Sequence, residues 1–307
     1  MTTILKGGEL ATRLRAEIVR SIGALAERGG HPPVLVTVLV GSNASAEAYR
    51  YSIARSTARV GIDHRPVTLS GSTDESALMR HIHGLNADPE VTGVLVLMPL
   101  PDHLRPDVVL EHLSPLKDVD GITPTNAGRL HLGLPSLRPS TPQGGIELLD
   151  HYGVEIEGKA AVVIGRSNVV GRPMASLLMQ RHATVTICHR RTRDLATHTS
   201  TADLVAVAAG HPGLVTPEMV RPGAIVLDFG VNVVGDRLTG DADFEGLQGR
   251  VAAITPVPGG TGPVTAMVLA RNTVAAGFAA IGGSLDYVDI VRSSQPGVAA
   301  LAISSPL

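Results

Sequence analysis

Tyr49 and Ile53 stand four residues apart in Tyr49-Arg50-Tyr51-Ser52-Ile53, downstream of an apolar run over 33–40 and the turn Gly41-Ser42-Asn43. Read as strand, loop and helix, that spacing puts both side chains on one helical face. The tyrosine can stack or hydrogen-bond; the isoleucine carries no group that titrates or donates.

A second constellation is Gly165-Arg166-Ser167-Asn168-Val169-Val170-Gly171-Arg172-Pro173, between an apolar strand and a helix. There an α/β sheet can bind dinucleotide phosphate, because glycine lets backbone approach and the helix start offers unpaired N–H groups to an anion. The spacing is not G-x-G-x-x-G, so alone it reads as a tight strand-to-helix turn. The next strand ends in His189-Arg190-Arg191-Thr192, where NAD-binding folds place an acidic residue about 20 residues after the glycines. Arginine cannot replace that carboxylate acceptor but can pair with a 2′-phosphate. Together the two features favour NADP over NAD. Gly165, Ser167 and Gly171 form the turn, Arg190 and Arg191 are phosphate partners, and Arg166 is a further candidate.

Positioning these groups requires strands of apolar residues alternating with helices, the pattern of an α/β protein with a mostly parallel sheet. The periodicity predicts helices over Ala11–Glu27, around Tyr49, over Glu75–His83, near Asp107–His112, after Thr141-Pro142, over Val169–Arg181 and over Val264–Ala280. Strands are predicted at Val34–Val40, Arg65–Leu69, Gly93–Met98, Ala160–Ile164, Thr184–Cys188, Leu204–Ala208 and Ala224–Asp228. Residues 117–139 read as an irregular connection, and no element is assigned after Gly283.

The 307 residues suffice for two modest domains. A composition 44% hydrophobic but 2% aromatic, without Trp, implies a core of Ala, Val, Leu and Ile. A net charge of -2 shows no bias towards nucleic acid or an anionic membrane. Cys188 is the sole cysteine, excluding an intrachain disulfide and a cysteine-based metal cluster. Neither a signal peptide nor a bilayer-length apolar run is evident, so a soluble, cytoplasmic protein is expected.

Further motifs, in order, are Pro99-Leu100-Pro101, Lys117-Asp118-Val119-Asp120-Gly121, Pro139-Ser140-Thr141-Pro142, Asp228-Phe229-Gly230-Val231-Asn232, Gly240-Asp241-Ala242-Asp243-Phe244 and Pro256-Val257-Pro258-Gly259-Gly260-Thr261-Gly262-Pro263. With Tyr49 and the Gly165–Pro173 turn, they make residues 3–275 resemble the bifunctional methylenetetrahydrofolate dehydrogenase/methenyltetrahydrofolate cyclohydrolase family. The resemblance implies two domains with a cleft between them: a folate-binding catalytic domain over 1–140, completed by 264–307, and a Rossmann-like NADP domain over 141–263. It also implies a homodimer and a tetrahydrofolate derivative as substrate or carbon donor. Asp120 would accept from the pterin's amino-pyrimidine edge, although alone an Asp before Gly is a turn residue. Tyr49 and Ser52 would lie along the folate, Pro258, Gly259 and Gly260 would let backbone approach the ligands, and Asn232 would lie at the cofactor.

Three positions depart from the family pattern. The family's Tyr-x-x-x-Lys has Ile53 for lysine, Leu97 replaces a glutamine, and Ala46 replaces a frequent serine. Lys6, Lys117 and Lys159, the only lysines, lie in other segments, and Arg50 could reach the face of Ile53 but stays protonated. The groups that handle protons and water are thus gone while those that grip folate and nucleotide persist. The expected activity is NADP-dependent oxidation of methylenetetrahydrofolate with weak or absent cyclohydrolase. Alternatives are one-carbon transfer to a nucleophile other than water, and non-catalytic folate and NADP binding.

Overall fold

The computed structural model describes residues 1–283, so the segment after Gly283 lies outside the described residues. In chain order the elements are β1 (Thr3–Ile4), α1 (Gly8–Glu27), β2 (Val34–Val40), α2 (Ala44–Ala58), β3 (Asp63–Leu69), α3 (Glu75–Ala87), β4 (Gly93–Val96), α4 (Asp107–His112), α5 (Pro124–His131), α6 (Ser140–His151), β5 (Ala160–Ile164), α7 (Gly171–Gln180), β6 (Thr184–Cys188), α8 (Leu195–Thr199), β7 (Leu204–Val207), β8 (Ile225–Asp228), β9 (Asn232–Val234), β10 (Arg237–Thr239), α9 (Phe244–Leu247), β11 (Ala253–Ile254) and α10 (Thr261–Ala280). Among the described residues no helix is long and apolar enough to cross a membrane.

The described residues divide into two compact units, one of residues 1–14, 120–134 and 138–269, the other of 15–119, 135–137 and 270–283. In the latter, a parallel sheet runs in the order β3-β2-β4. Every residue of β2 is buried, which explains its unbroken apolar run. Val34, Val36, Val38 and Val40 pack with Leu78 and Ile82 of α3 and Val108 and Val109 of α4. The opposite face carries Leu35, Thr37 and Leu39, by strand alternation.

The other unit holds a parallel sheet ordered β1-β11-β8-β7-β5-β6. Its core joins Val162 and Ile164 to Val205, Val207, Val226 and Ile254. β6 lies on one side of β5 and β7 on the other, so strand order reverses between β5 and β7, the place where such sheets bind ligands. β9 and β10 form a separate antiparallel ribbon.

Several expectations need correction. Residues 117–139 are not wholly irregular: Thr123 precedes Pro124 at the start of α5, whose fixed φ suits a helix start, and Asn126 and Leu130 are buried. β4 stops at Val96 rather than Met98 because Pro99 has no N–H for the ladder. α6 begins at Ser140, before Pro142, because proline is tolerated in a first turn. α10 begins at Thr261, ahead of Val264.

Candidate functional site

Helix α2 begins where Asn43 caps it, its side chain accepting from Ala46 N at 2.9 Å. Its buried residues are Ala46, Ile53 and Thr57, one stripe of the helix. Tyr49 is 38% exposed whereas Ile53 is 1% exposed, and Ser52 is exposed. Thr57 Oγ1 donates to Ile53 O at 2.9 Å, tying the helix turn at this position. Arg50 turns to the sheet: its Nη1 donates to Thr68 Oγ1 at 2.8 Å, and Thr68 pairs with Leu39. Hence α2 covers the sheet face that carries Thr37 and Leu39. Leu95 pairs with Thr37, so alternation puts the buried Leu97 on that same face. Ile53 on α2 and Leu97 on the sheet face that α2 covers are thus both buried and apolar, and Arg50 is engaged elsewhere.

Two ionisable groups of this unit have partners of their own. Lys117 Nζ donates to Leu85 O at 2.9 Å and Asp88 O at 2.5 Å, capping the end of α3, and burial lowers its pKa. His64, on the face under α2, bonds Thr37 Oγ1 at 2.8 Å through Nε2. Burial, then the Arg50 charge, holds its imidazole below the ordinary histidine value. It lies four positions before Thr68 along β3, roughly 13 Å at strand rise. Ala46 is buried and Ser45 exposed, so the neighbouring serine does not take its place on the stripe.

At the nucleotide turn, Gly165 has φ +129°, and a Cβ there would overlap the carbonyl oxygen of Ala208. A Cβ on Gly171 would overlap the carbonyl of Gly165. Ser167 Oγ accepts from Val170 N at 3.1 Å and Gly171 N at 3.4 Å, closing the turn into α7. Arg166, Arg190 and Arg191 are all exposed. The last two follow β6 in a turn closed by Thr192 N donating to His189 O at 2.7 Å. Gly165, Ser167 and Gly171 thus build a tight turn, with one exposed arginine in it and two more after β6.

Two buried carboxylates escaped prediction although their motifs are visible. Asp241, 0% exposed, accepts from Ala209 N (2.6 Å), Gly210 N (2.8 Å), His211 N (2.9 Å) and Asn232 Nδ2 (2.8 Å). The Asn232 amide is thus turned to Asp241. Asp228 accepts from Gly230 N (2.8 Å), Asp241 N (3.0 Å) and Ala242 N (2.8 Å). Burial outweighs those bonds and pushes the Asp228 carboxyl up to about 6, the Asp241 charge adding to the rise. Because the folded value exceeds the unfolded one, this group lowers stability as pH rises from about 4 to about 6, by on the order of 3 kcal/mol, with no further change above that window. Carboxyl-carbon NMR of the protein is expected to show one aspartate titrating near pH 6 that Asp228→Asn removes; titration of every aspartate below about 4.5 would contradict the assignment.

In the same unit, Asp120 is half-buried and Ser140 Oγ donates to its Oδ1 at 3.4 Å. Gly259 has φ +102°. Gly7 N donates to Gly259 O at 2.9 Å, and Gly260 N to Pro256 O at 2.9 Å, so the 256–260 loop is held by backbone bonds. Tyr49, Ser52, Ile53 and Leu97 belong to one unit, whereas Asp120, the nucleotide turn, Asn232 and 258–260 belong to the other.

The family model for the tetrahydrofolate dehydrogenase/cyclohydrolase catalytic domain matches residues 5–120, and that for its NAD(P)-binding domain matches residues 139–280. The bifunctional protein FolD of Herpetosiphon aurantiacus is 49% identical over 278 residues, 90% of this chain and 97% of the relative. A crystal structure of the bifunctional FolD methylenetetrahydrofolate dehydrogenase/cyclohydrolase of Campylobacter jejuni superposes with a TM-score of 0.87 at 41% identity, covering 90% of this chain and 99% of that one. The Trypanosoma brucei enzyme, solved with NADP cofactor and inhibitor, gives a TM-score of 0.87 at 34% identity, covering 91% and 98%.

Proposed function

The chain belongs to the tetrahydrofolate dehydrogenase/cyclohydrolase family, and from that premise we propose that it is an NADP-dependent methylenetetrahydrofolate dehydrogenase whose cyclohydrolase activity is weak or absent. One observation carries the reading: the nucleotide turn keeps its glycines and arginines, while Ile53 and Leu97 are buried apolar residues on the α2 face. NADP+, when bound, supplies the acceptor for a hydride from the carbon bridging N5 and N10. The chain's own groups bind and align: Asp120 for the pterin edge, Tyr49 and Ser52 along the folate, and the 258–260 backbone close to the ligands. Hydride loss needs alignment and a setting that tolerates the methenyl cation. Hydrolysis of that cation needs a held water and a proton carrier. Ile53 and Leu97 provide neither, and their apolar side chains exclude water around themselves.

A spectrophotometric assay with methylenetetrahydrofolate tests this. Methenyl product should accumulate with NADP+ and pass to 10-formyl-folate no faster than without enzyme. Brisk formation of the formyl product, or no methenyl at all, would refute it. The same water exclusion favours one-carbon transfer to another nucleophile as a second reading; label leaving folate only when an amine or hydrazine is added would select it.

Cofactor choice gives a separate expectation. Arg190→Ala with Arg191→Ala should raise the KM for NADP+ by about 10²-fold while leaving that for NAD+ within about threefold, because each charge-assisted bond contributes roughly 1.5–3 kcal/mol. Equal loss for both nucleotides would remove the arginines from the 2′-phosphate site. The reading includes assembly as a homodimer, supported by the exposed apolar side chains Val231, Val233, Val234 and Leu238 on and beside the β9–β10 ribbon.

A further inference from the structure

We propose that Asp241 is a positioning residue that turns the 208–211 loop carbonyl-outward, to receive the hydrogen-bond donors of the nicotinamide half of NADP. The proposal rests on the NADP reading above. The loop follows β7, and Ala208 O would meet a Cβ on Gly165, so loop and glycine turn face each other at the reversal of strand order. Ala209, Gly210 and His211 are exposed residues, yet their N–H groups all point inward to the buried Asp241 carboxylate. In a trans peptide the N–H and the preceding C=O point in opposite directions, and the only cis bonds among the described residues are Met98–Pro99 and Val257–Pro258. The carbonyls of Ala208, Ala209 and Gly210 are therefore directed away from Asp241.

Asp228 does the same one strand over. It takes the N–H of Gly230, which turns the Phe229 carbonyl the other way, and its bonds to Asp241 N and Ala242 N hold Asp241 in place. Gly230 and Gly240 are needed for this arrangement, because a Cβ on either would overlap the carboxylates of Asp241 and Asp228 respectively. The two ends of the nucleotide site thereby acquire opposite polarity. In the turn ahead of α7, Gly165 lets backbone approach and the exposed Arg166 adds positive charge, suited to phosphates. After β7 and β8 the backbone offers carbonyl oxygens, suited to ribose hydroxyls, a carboxamide NH2 and the positively charged oxidised ring.

Asp241→Asn tests the idea. Each carboxylate oxygen accepts from two donors, so an amide NH2 at either place opposes donor to donor. Calorimetry should show the Kd for NADP+ rising about tenfold or more. That for adenosine 2′,5′-bisphosphate, which lacks the nicotinamide half, should stay within about twofold. Equal weakening of both ligands, or of neither, would overturn the proposal by making Asp241 merely structural. If the unsubstituted protein binds neither ligand, the NADP reading itself fails and the proposal with it. Should the variant not fold, amide exchange on the unsubstituted protein decides: NADP+ should protect 208–211 beyond the level given by the bisphosphate, and identical protection would overturn the assignment.

Discussion

Ile53→Lys combined with Leu97→Gln is expected to raise methenyltetrahydrofolate hydrolysis by about 10²-fold or more, the low end of what a positioned acid/base contributes. The oxidation step with NADP+ should change by less than about threefold, because neither position aligns the nicotinamide. Ile53 lies on the buried stripe of α2, and Leu97 is buried on the sheet face that this helix covers. A lysine at 53 would bring its amine into a partly desolvated place, which lowers an ammonium pKa towards neutrality and suits it to relay protons. The glutamine would restore a group able to hold water. Removing a buried isoleucine and leucine for polar side chains should also lower stability, by on the order of 2 kcal/mol. The informative comparison is the ratio of formyl to methenyl product per NADPH formed. An unchanged ratio in a folded double variant would show that hydrolysis is limited by something other than these two positions.

Gly165→Ala should abolish measurable NADP+ binding and destabilise the protein by on the order of 3 kcal/mol. Two effects combine: φ +129° is a backbone conformation that side chains other than glycine rarely adopt, and the new methyl group would overlap the Ala208 carbonyl. The atom in the way is backbone, so relief requires parting the β5 turn from the loop after β7, the two walls of the nucleotide site. Gly153→Ala separates the contributions. Gly153 has φ +66° and nothing within 4 Å of a Cβ, so that variant should lose only about 1–2 kcal/mol and keep full nucleotide affinity. Denaturant melts and nucleotide titrations of both variants give the comparison. Normal NADP+ binding by Gly165→Ala would remove this turn from the cofactor site.

Much of this was legible along the chain because the relevant physics is local. The run Val34–Val40 is buried on both faces of a parallel sheet, and a strand so placed needs no alternation with polar residues. The strand, glycine turn and helix from Ala160 to Gln180 lie within one short segment, and the chemistry of Ile53 and Leu97 is a property of the side chains themselves. What escaped was every feature whose partners are remote. β1 and β11 are two-residue strands that pair Thr3 with Ala253, too short to leave a period in the sequence. The Asp228 and Asp241 carboxylates look like ordinary turn residues until folding brings them to each other's backbone, and Arg50 could not be assigned to Thr68 from helical spacing alone. Residue types and periodicity determined most of the elements. Only tertiary structure decided where each donor and acceptor is satisfied, because a hydrogen bond depends on positions that the chain brings together by folding, whatever their separation in sequence.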